Sequence, residues 1–244
     1  MVIIVTGTIA PDAKVGQLQI RSSEERLSQY KKALYELISS GAHARVVFCD
    51  NSSFGTDGFT ELTELAKDRG VEFEVLSFCG DADAVIKHGK GYGEGEILDY
   101  ALDNSKLAEG ESFFIKVTGR LVVDNIADIV DHLVTDRIYF NIPNIHRRDM
   151  YDTRLYAMPV GVYRDVFSKS AKRVDDSAGY YLEHAFTDAA FDGGMKVYNF
   201  PRYPRIRGVS GSGGIRYEYT EWKSRIRDFL SIFNFYSKIR KDKG

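Results

Sequence analysis

Cysteine and proline are scarce in this chain, with two and five in 244 residues. Cys49 and Cys79 stand thirty positions apart, which matches no zinc spacing and makes no disulfide framework. Both lie in or beside apolar runs and read as reduced, buried thiols of a cytoplasmic protein. No apolar run approaches the ~18 residues that cross a bilayer. Residues 1–5 carry no basic lead and no export-type cleavage pattern, so they read as a first strand. A basic excess is missing too. The net charge is −2, which argues against nucleic acid as a partner. There is no internal repeat, no low-complexity tract and no linker that would split the chain.

What is present suffices for a large core, at 43% hydrophobic and 13% aromatic. Strand and helix patterns alternate over roughly the first 145 residues. Strands are expected at 2–6, 46–49, 73–78, 113–117 and 138–142, and helices at 24–39, 60–68, 94–104 and 126–133. Such alternation predicts an α/β fold with a mostly parallel central sheet flanked by helices. Beyond residue 150 it gives way to an irregular half: a strand at 155–163, a helix at 176–191, a strand at 196–200 and a loop at 203–214. A long aromatic and basic helix is expected at 221–241. We therefore expect a single ligand-binding domain at 1–220 and a C-terminal amphipathic helix at 221–244.

Ligands of open parallel sheets bind beyond the carboxyl ends of the strands. Those ends read Thr6-Gly7-Thr8, Asp50-Asn51-Ser52, Thr118-Gly119-Arg120 and Pro143-Asn144. Lys116 and Thr118 alternate onto one strand face, and Arg120 leaves at the tip. Lys and Arg there suit a diphosphate; solvated cations at an ordinary strand end are the plainer alternative. The segment from His88 to Glu96 holds four glycines with Lys90 and Tyr92, and it reads as a loop running into a helix at Glu94. Its glycines suit close approach of a phosphate, although the P-loop ending Gly-Lys-Ser/Thr is missing. Glu94 and Glu96 equally suit simple partners of the helix dipole.

Four further features complete the inventory. Asp81-Ala82-Asp83 looks like a metal-binding pair but precedes the glycine-rich segment, so it reads as a solvated turn. Glu183 is a candidate general base, with a surface carboxylate as the alternative. His184, on the face of Tyr180, is a second candidate base, with a half-buried aromatic-cluster histidine as the alternative. Arg205 and Arg207 precede a loop in which Ser210 and Ser212 alternate with glycines, either an anion nest or a solvent loop. In the last helix Trp222, Ile226, Phe229, Phe233 and Tyr236 share one stripe, widened by Leu230, Ile232, Phe235 and Ile239. Seven Lys/Arg against three Asp/Glu give residues 221–244 a net +4. This composition suits an anionic membrane surface, with packing on the domain or on a partner chain as the alternative.

Taken in order, residues 2–11, 47–52, 90–94, 114–120, 182–184 and 208–214 resemble a bacterial surface-polysaccharide (capsule or lipopolysaccharide) glycosyltransferase of the GT-A type. The resemblance implies a GT-A-like fold and transfer of a hexosyl group, galactose-type, from a UDP-sugar. The acceptor it implies is a hydroxyl of a growing surface polysaccharide or lipid-linked glycan at the cytoplasmic face of the inner membrane. It implies that Thr6, Gly7 and Asp50, with Thr8 and Asn51 beside them, meet the nucleoside. Lys90, Tyr92, Lys116, Thr118, Gly119 and Arg120 would lie near the diphosphate or donor sugar, and Arg205, Arg207, Ser210 and Ser212 would close over it. The family's usual Asp-x-Asp pair is missing at the expected strand end. A divalent cation, Mg or Mn, is therefore not firmly expected, and fixed cations are its electrostatic substitute. Two other functions fit parts of the pattern: a nucleotidyltransferase making an activated sugar, and a non-enzymatic membrane-surface scaffold. The former needs a glycine-rich loop after the first strand, where Thr6-Gly7-Thr8-Ile9-Ala10 is poor in glycine and lysine.

Overall fold

The computed structural model describes residues 1–12, 22–142, 149–209 and 216–234. Among these, β1 (Val2–Gly7), β2 (Arg45–Asp50), β3 (Phe73–Ser77) and β4 (Phe113–Thr118) pair in parallel, in the order β3-β2-β1-β4. The sheet continues with β7 (Asp152–Pro159), β6 (Ile138–Asn141) and β8 (Val197–Tyr198), to seven strands among the described residues. Of these, β7 alone runs antiparallel, between β4 and β6. A second, three-stranded sheet joins β5 (Leu121–Val123), β9 (Ile206–Val209) and β10 (Arg216–Tyr217).

Strand alternation divides the core in two. Ile3, Val5, Val46, Phe48, Phe113, Ile115 and Val117 face α1 (Ser23–Ser39), α2 (Thr60–Arg69) and α5 (Ile126–His132). Val2, Ile4, Val47, Cys49, Phe114 and Tyr156 face the other layer. That layer holds α4 (Lys90–Asn104), the short α6 (Val160–Val162) and α7 (Ser168–Ala171) around a π turn at Tyr163–Phe167, and α8 (Leu182–Asp192). α3 (Ala82–His88) precedes α4, and α9 (Glu221–Ile232) follows β10.

The largest correction concerns the glycine-rich segment. The expected loop is the first turn of α4, which starts at Lys90 and not at Glu94. Its glycines serve packing. A Cβ at Gly91 would stand 2.9 Å from Leu182, at Gly93 2.9 Å from Val85 and at Gly95 2.6 Å from Ala171. Asp81 is also no loose turn: it caps α3, its Oδ1 accepting the Ala84 amide at 2.9 Å. In the second half the strand expected at 155–163 ends at Pro159, the helix expected from 176 starts at Leu182 after a 3-10 turn, and the expected loop contains β9. The helix expected at 221–241 ends at Ile232, with Phe233 and Asn234 in a turn; residues 235–241 lie outside the described residues.

Gly7 and Gly119 let Tyr30 press against the tips of β1 and β4. A Cβ on Gly119 would lie 2.5 Å from the Thr6 carbonyl oxygen and 2.8 Å from the Tyr30 ring. Backbone cannot yield as a flexible side chain does, so Gly119→Ala is expected to lower stability by about 1–3 kcal/mol. Urea unfolding of the purified variant checks this, and an unchanged midpoint contradicts it.

Candidate active site

The order β3-β2-β1-β4 reverses direction between β1 and β4, which makes that pair of strand ends the topological switch point. A cavity of about 510 Å³ opens there. Thr6, Gly7 and Thr8 line it from β1, Asn51 to Ser53 from beyond β2, and Thr118 and Arg120 from the end of β4. β7 runs the opposite way and so begins at this edge, adding Thr153 and Arg154. The helix layer adds Lys90, Gly93 and Glu94 from α4 and Glu183 from the first turn of α8.

One side of the cavity is cationic. Burial first, with Arg26 and Arg120 acting in the same sense and Asp176 against, pulls the Lys90 ammonium below its ordinary value. Burial also pulls the Arg120 guanidinium down; Tyr30 opposes this and Arg26 adds to it. Lys90, Arg26 and Arg120 therefore stand within electrostatic reach of one another. Arg120 reaches Gln29 Oε1 at 3.2 Å, rests 6.0 Å from the Tyr30 ring centre and, among the described residues, makes no ion pair. Arg26 is 4% exposed, and its Nε donates to the Thr8 carbonyl at 2.7 Å. Its position four residues before Tyr30, on the apolar face of α1, is the signal that identifies it; the expected residues had left it out.

The other side is acidic. Glu94 pairs with Lys116, and Glu183 Oε1 accepts the Thr153 hydroxyl at 2.7 Å. Burial, mainly, pushes the Glu183 carboxyl above its ordinary value, with Glu94 and Asp152 adding to the rise and the Thr153 hydrogen bond opposing it. Glu94 was expected only as a dipole partner. Starting α4 at Lys90 turns Glu94 into the cavity wall.

Several expected site residues sit elsewhere. Lys116 is fully buried and spends its ammonium protons on Glu94, on Thr118 Oγ1 at 2.8 Å and on the Thr153 carbonyl at 2.8 Å. It therefore does not line the cavity. Asp50 is also fully buried, with both oxygens used inside the fold. Oδ1 accepts from the Ile9 amide at 2.8 Å, and Oδ2 from the Ser52 amide at 3.0 Å and the Phe54 amide at 3.2 Å. It ties strand ends together, while Thr8 and Asn51, themselves joined at 2.7 Å, line the cavity beside it. His184 turns back on its own helix: its Nδ1 accepts the Tyr181 amide at 3.1 Å, and its ring stacks 5.9 Å from Tyr180. Tyr92 stacks on His88 at 5.3 Å, outside the cavity lining. Pairing of β9 with β5 carries Arg205 to Glu221 and Asp228, and Arg207 to Asp124 and Glu36. Both arginines point away from the cavity lining. Ser210 and Ser212 lie outside the described residues.

Among the described residues no group of three or more His, Cys, Asp and Glu is arranged for a divalent cation. Glu94 is closed by Lys116, and Asp152 by Arg154. The described residues at the cavity do not fit such an ion.

The thiols differ from expectation as well. Cys49 is buried, and burial drives its pKa far up, whereas Cys79 is exposed on the cavity rim. A native thiol titration with Ellman's reagent is expected to show one fast thiol, lost in Cys79→Ser. Two thiols reacting at equal rates would contradict the assignment.

No protein-family model matches this chain, and no curated protein matches it. Solved structures do. The glycosyltransferase GlyE of Streptococcus pneumoniae TIGR4 aligns at 8% identity and TM-score 0.50, over 80% of this chain and 44% of that one. The galactosyltransferase LgtC, in complex with donor and acceptor sugar analogs, aligns at 11% identity and TM-score 0.50, over 83% and 74%. This chain thus spans less than half the length of GlyE. The mixed sheet, its switch point and its two helix layers are a GT-A-like fold, an architecture shared with glycosyltransferases.

Proposed function

We propose that this protein is a hexosyltransferase that moves a galactose-type group from a UDP-sugar to a glycan or lipid-linked hydroxyl. The observation that carries the reading is the convergence of Arg26, Lys90 and Arg120 at the β1/β4 switch point, opposite Glu94 and Glu183. Three cations held together repel one another, and a diphosphate relieves that repulsion. The same cations stabilise the charge that grows on the departing UDP, which is the main electrostatic demand of the step. Arg26 takes the place that Lys116 was expected to fill.

In an inverting transfer Glu183 takes the proton of the acceptor hydroxyl as its oxygen attacks the anomeric carbon. A carboxyl raised by burial is a stronger base once ionised, so activity rises with pH through that raised pKa. LgtC is described as a galactosyltransferase and was solved with donor and acceptor sugar analogs, which supports a sugar donor and a sugar acceptor for this chain.

The acceptor reading draws support from α9. Trp222, Ile226, Phe229 and Phe233 are 51–67% exposed along one stripe, with Lys223, Arg225 and Arg227 beside it. No helix among the described residues is long and apolar enough to cross a membrane. A stripe of this kind suits a peripheral position at an anionic lipid surface, where a lipid-linked glycan of a surface polysaccharide is built.

Isothermal titration with EDTA present is expected to show UDP binding. Absence of binding by every nucleoside diphosphate would overturn the reading. Arg120→Ala is expected to weaken UDP about tenfold or more, the worth of a charge-assisted contact, while leaving the circular dichroism spectrum unchanged. For α9, sedimentation with phosphatidylglycerol vesicles is expected to pellet the wild type and leave the Trp222→Asp/Phe229→Asp variant in solution. Equal pelleting would refute attachment through this stripe.

A further inference from the structure

Of the carboxylates that line the cavity, Glu94 and Glu183 stand on the side of β4 and β7, and the buried Lys116 pairs with Glu94. Lys116 gives protons to Glu94, to Thr118 Oγ1 and to the carbonyl of Thr153. The hydroxyl of that same Thr153 donates to Glu183 at 2.7 Å. A continuous chain of contacts therefore runs Glu94, Lys116, Thr153, Glu183.

The charged neighbours of Glu183 come from each element around it. α4 presents Glu94, β4 presents Lys116, β7 presents Asp152, and α8 itself carries His184. Arg154 holds Asp152 through both of its carboxylate oxygens, at 2.8 and 2.5 Å. Lys116 holds Glu94, and His184 is engaged with the Tyr181 amide. Each neighbouring carboxylate thus has its own cation, whereas Glu183, among the described residues, makes no ion pair. A buried ion pair is rarely the most stable filling for its space, since apolar residues of like volume often do as well. Lys116 sits 5.5 Å from the ring centre of the buried Tyr156, on the strand face it shares with Phe114.

We infer that the Lys116–Glu94 pair sets the charge state of Glu183. Lys116, linked to Glu183 through Thr153, offsets part of the field that Glu94 exerts on Glu183, so that Glu183 ionises more readily than beside an unpaired Glu94. Lys116 is then a positioning residue that touches no substrate. The inference rests on the proposed transferase reaction, in that it names what tunes the base of that reaction.

The test is a carboxyl titration by ¹³C NMR on the whole protein, free of substrate, with labelled glutamate. The Glu183 signal is assigned by its loss in Glu183→Gln. Glu94→Gln removes an anion and leaves Lys116 charged, so the Glu183 midpoint is expected to fall by about 1 pH unit. Lys116→Met leaves Glu94 uncompensated, so the midpoint is expected to rise by about 1 pH unit. The double variant is expected to return toward wild type, and the acid limb of kcat/KM is expected to move in the same order. A Glu183 midpoint unmoved by Glu94→Gln overturns the inference, and this variant decides alone if Lys116→Met does not fold. If the midpoints shift as expected but no nucleotide sugar is hydrolysed or transferred, the charge-setting pair stands and the transferase reading falls.

Discussion

A fully buried ammonium at the middle of the sheet is the constraint around which the site is arranged. Lys116 has no water to turn to, so each proton must meet a fixed acceptor. Those acceptors come from α4, from β4 itself and from β7. α4 must lie close over the sheet for Glu94 to reach, and Gly91, Gly93 and Gly95 permit that approach against Leu182, Val85 and Ala171. β7 must lie directly beside β4 for the Thr153 carbonyl to reach. Removing one partner of such a pair typically costs about 3–5 kcal/mol, because the other charge is stranded. The cavity wall formed by Glu94, Thr118, Thr153 and Glu183 is in this sense the outer surface of one buried cation's coordination.

Asp50 plays the corresponding part with opposite sign. It sits at the end of β2, where a polar ligand contact was expected, and is consumed by amides and hydroxyls of the adjoining loops, including Ser77 at the end of β3. The anion nearest the switch point thus spends its charge holding strand ends together. Arg26, Lys90 and Arg120 line the cavity itself.

Periodicity made the first half of the fold legible. The strands expected at 2–6 and 113–117 differ from β1 and β4 by one residue at an end, and that at 46–49 from β2 by one at each end, because a run buried on both faces has few alternatives. Short strands such as β5 and β9 escaped, since three or four residues hold too little pattern. The start of α4 escaped for another reason. Glycine every second residue reads locally as loop, and only Leu182 and Ala171, some eighty to ninety positions away, make it a packed helix face. The same distance explains the site residues. Thr118, Arg120, Lys90 and Glu183 were named from strand tips and a helix start, where chemistry and position coincide. Lys116, Arg205 and Arg207 were named for their charge, but what a charge does depends on partners the sequence places far off. Arg26 carried a readable clue, a cation on a helix's apolar face, which composition-level reasoning passes over.

The antiparallel β7 has a consequence for how the molecule can be divided. It lies inside the sheet, between β4 and β6, so the second half of the chain is inserted into the first. A fragment ending near residue 142 would leave β4 with an open hydrogen-bonding edge, Phe114 without Tyr156, and an ammonium lacking one acceptor. The two halves are therefore not exchangeable modules. Recombining the first half of one such protein with the second half of another requires matching at the β4–β7 seam, strand against strand.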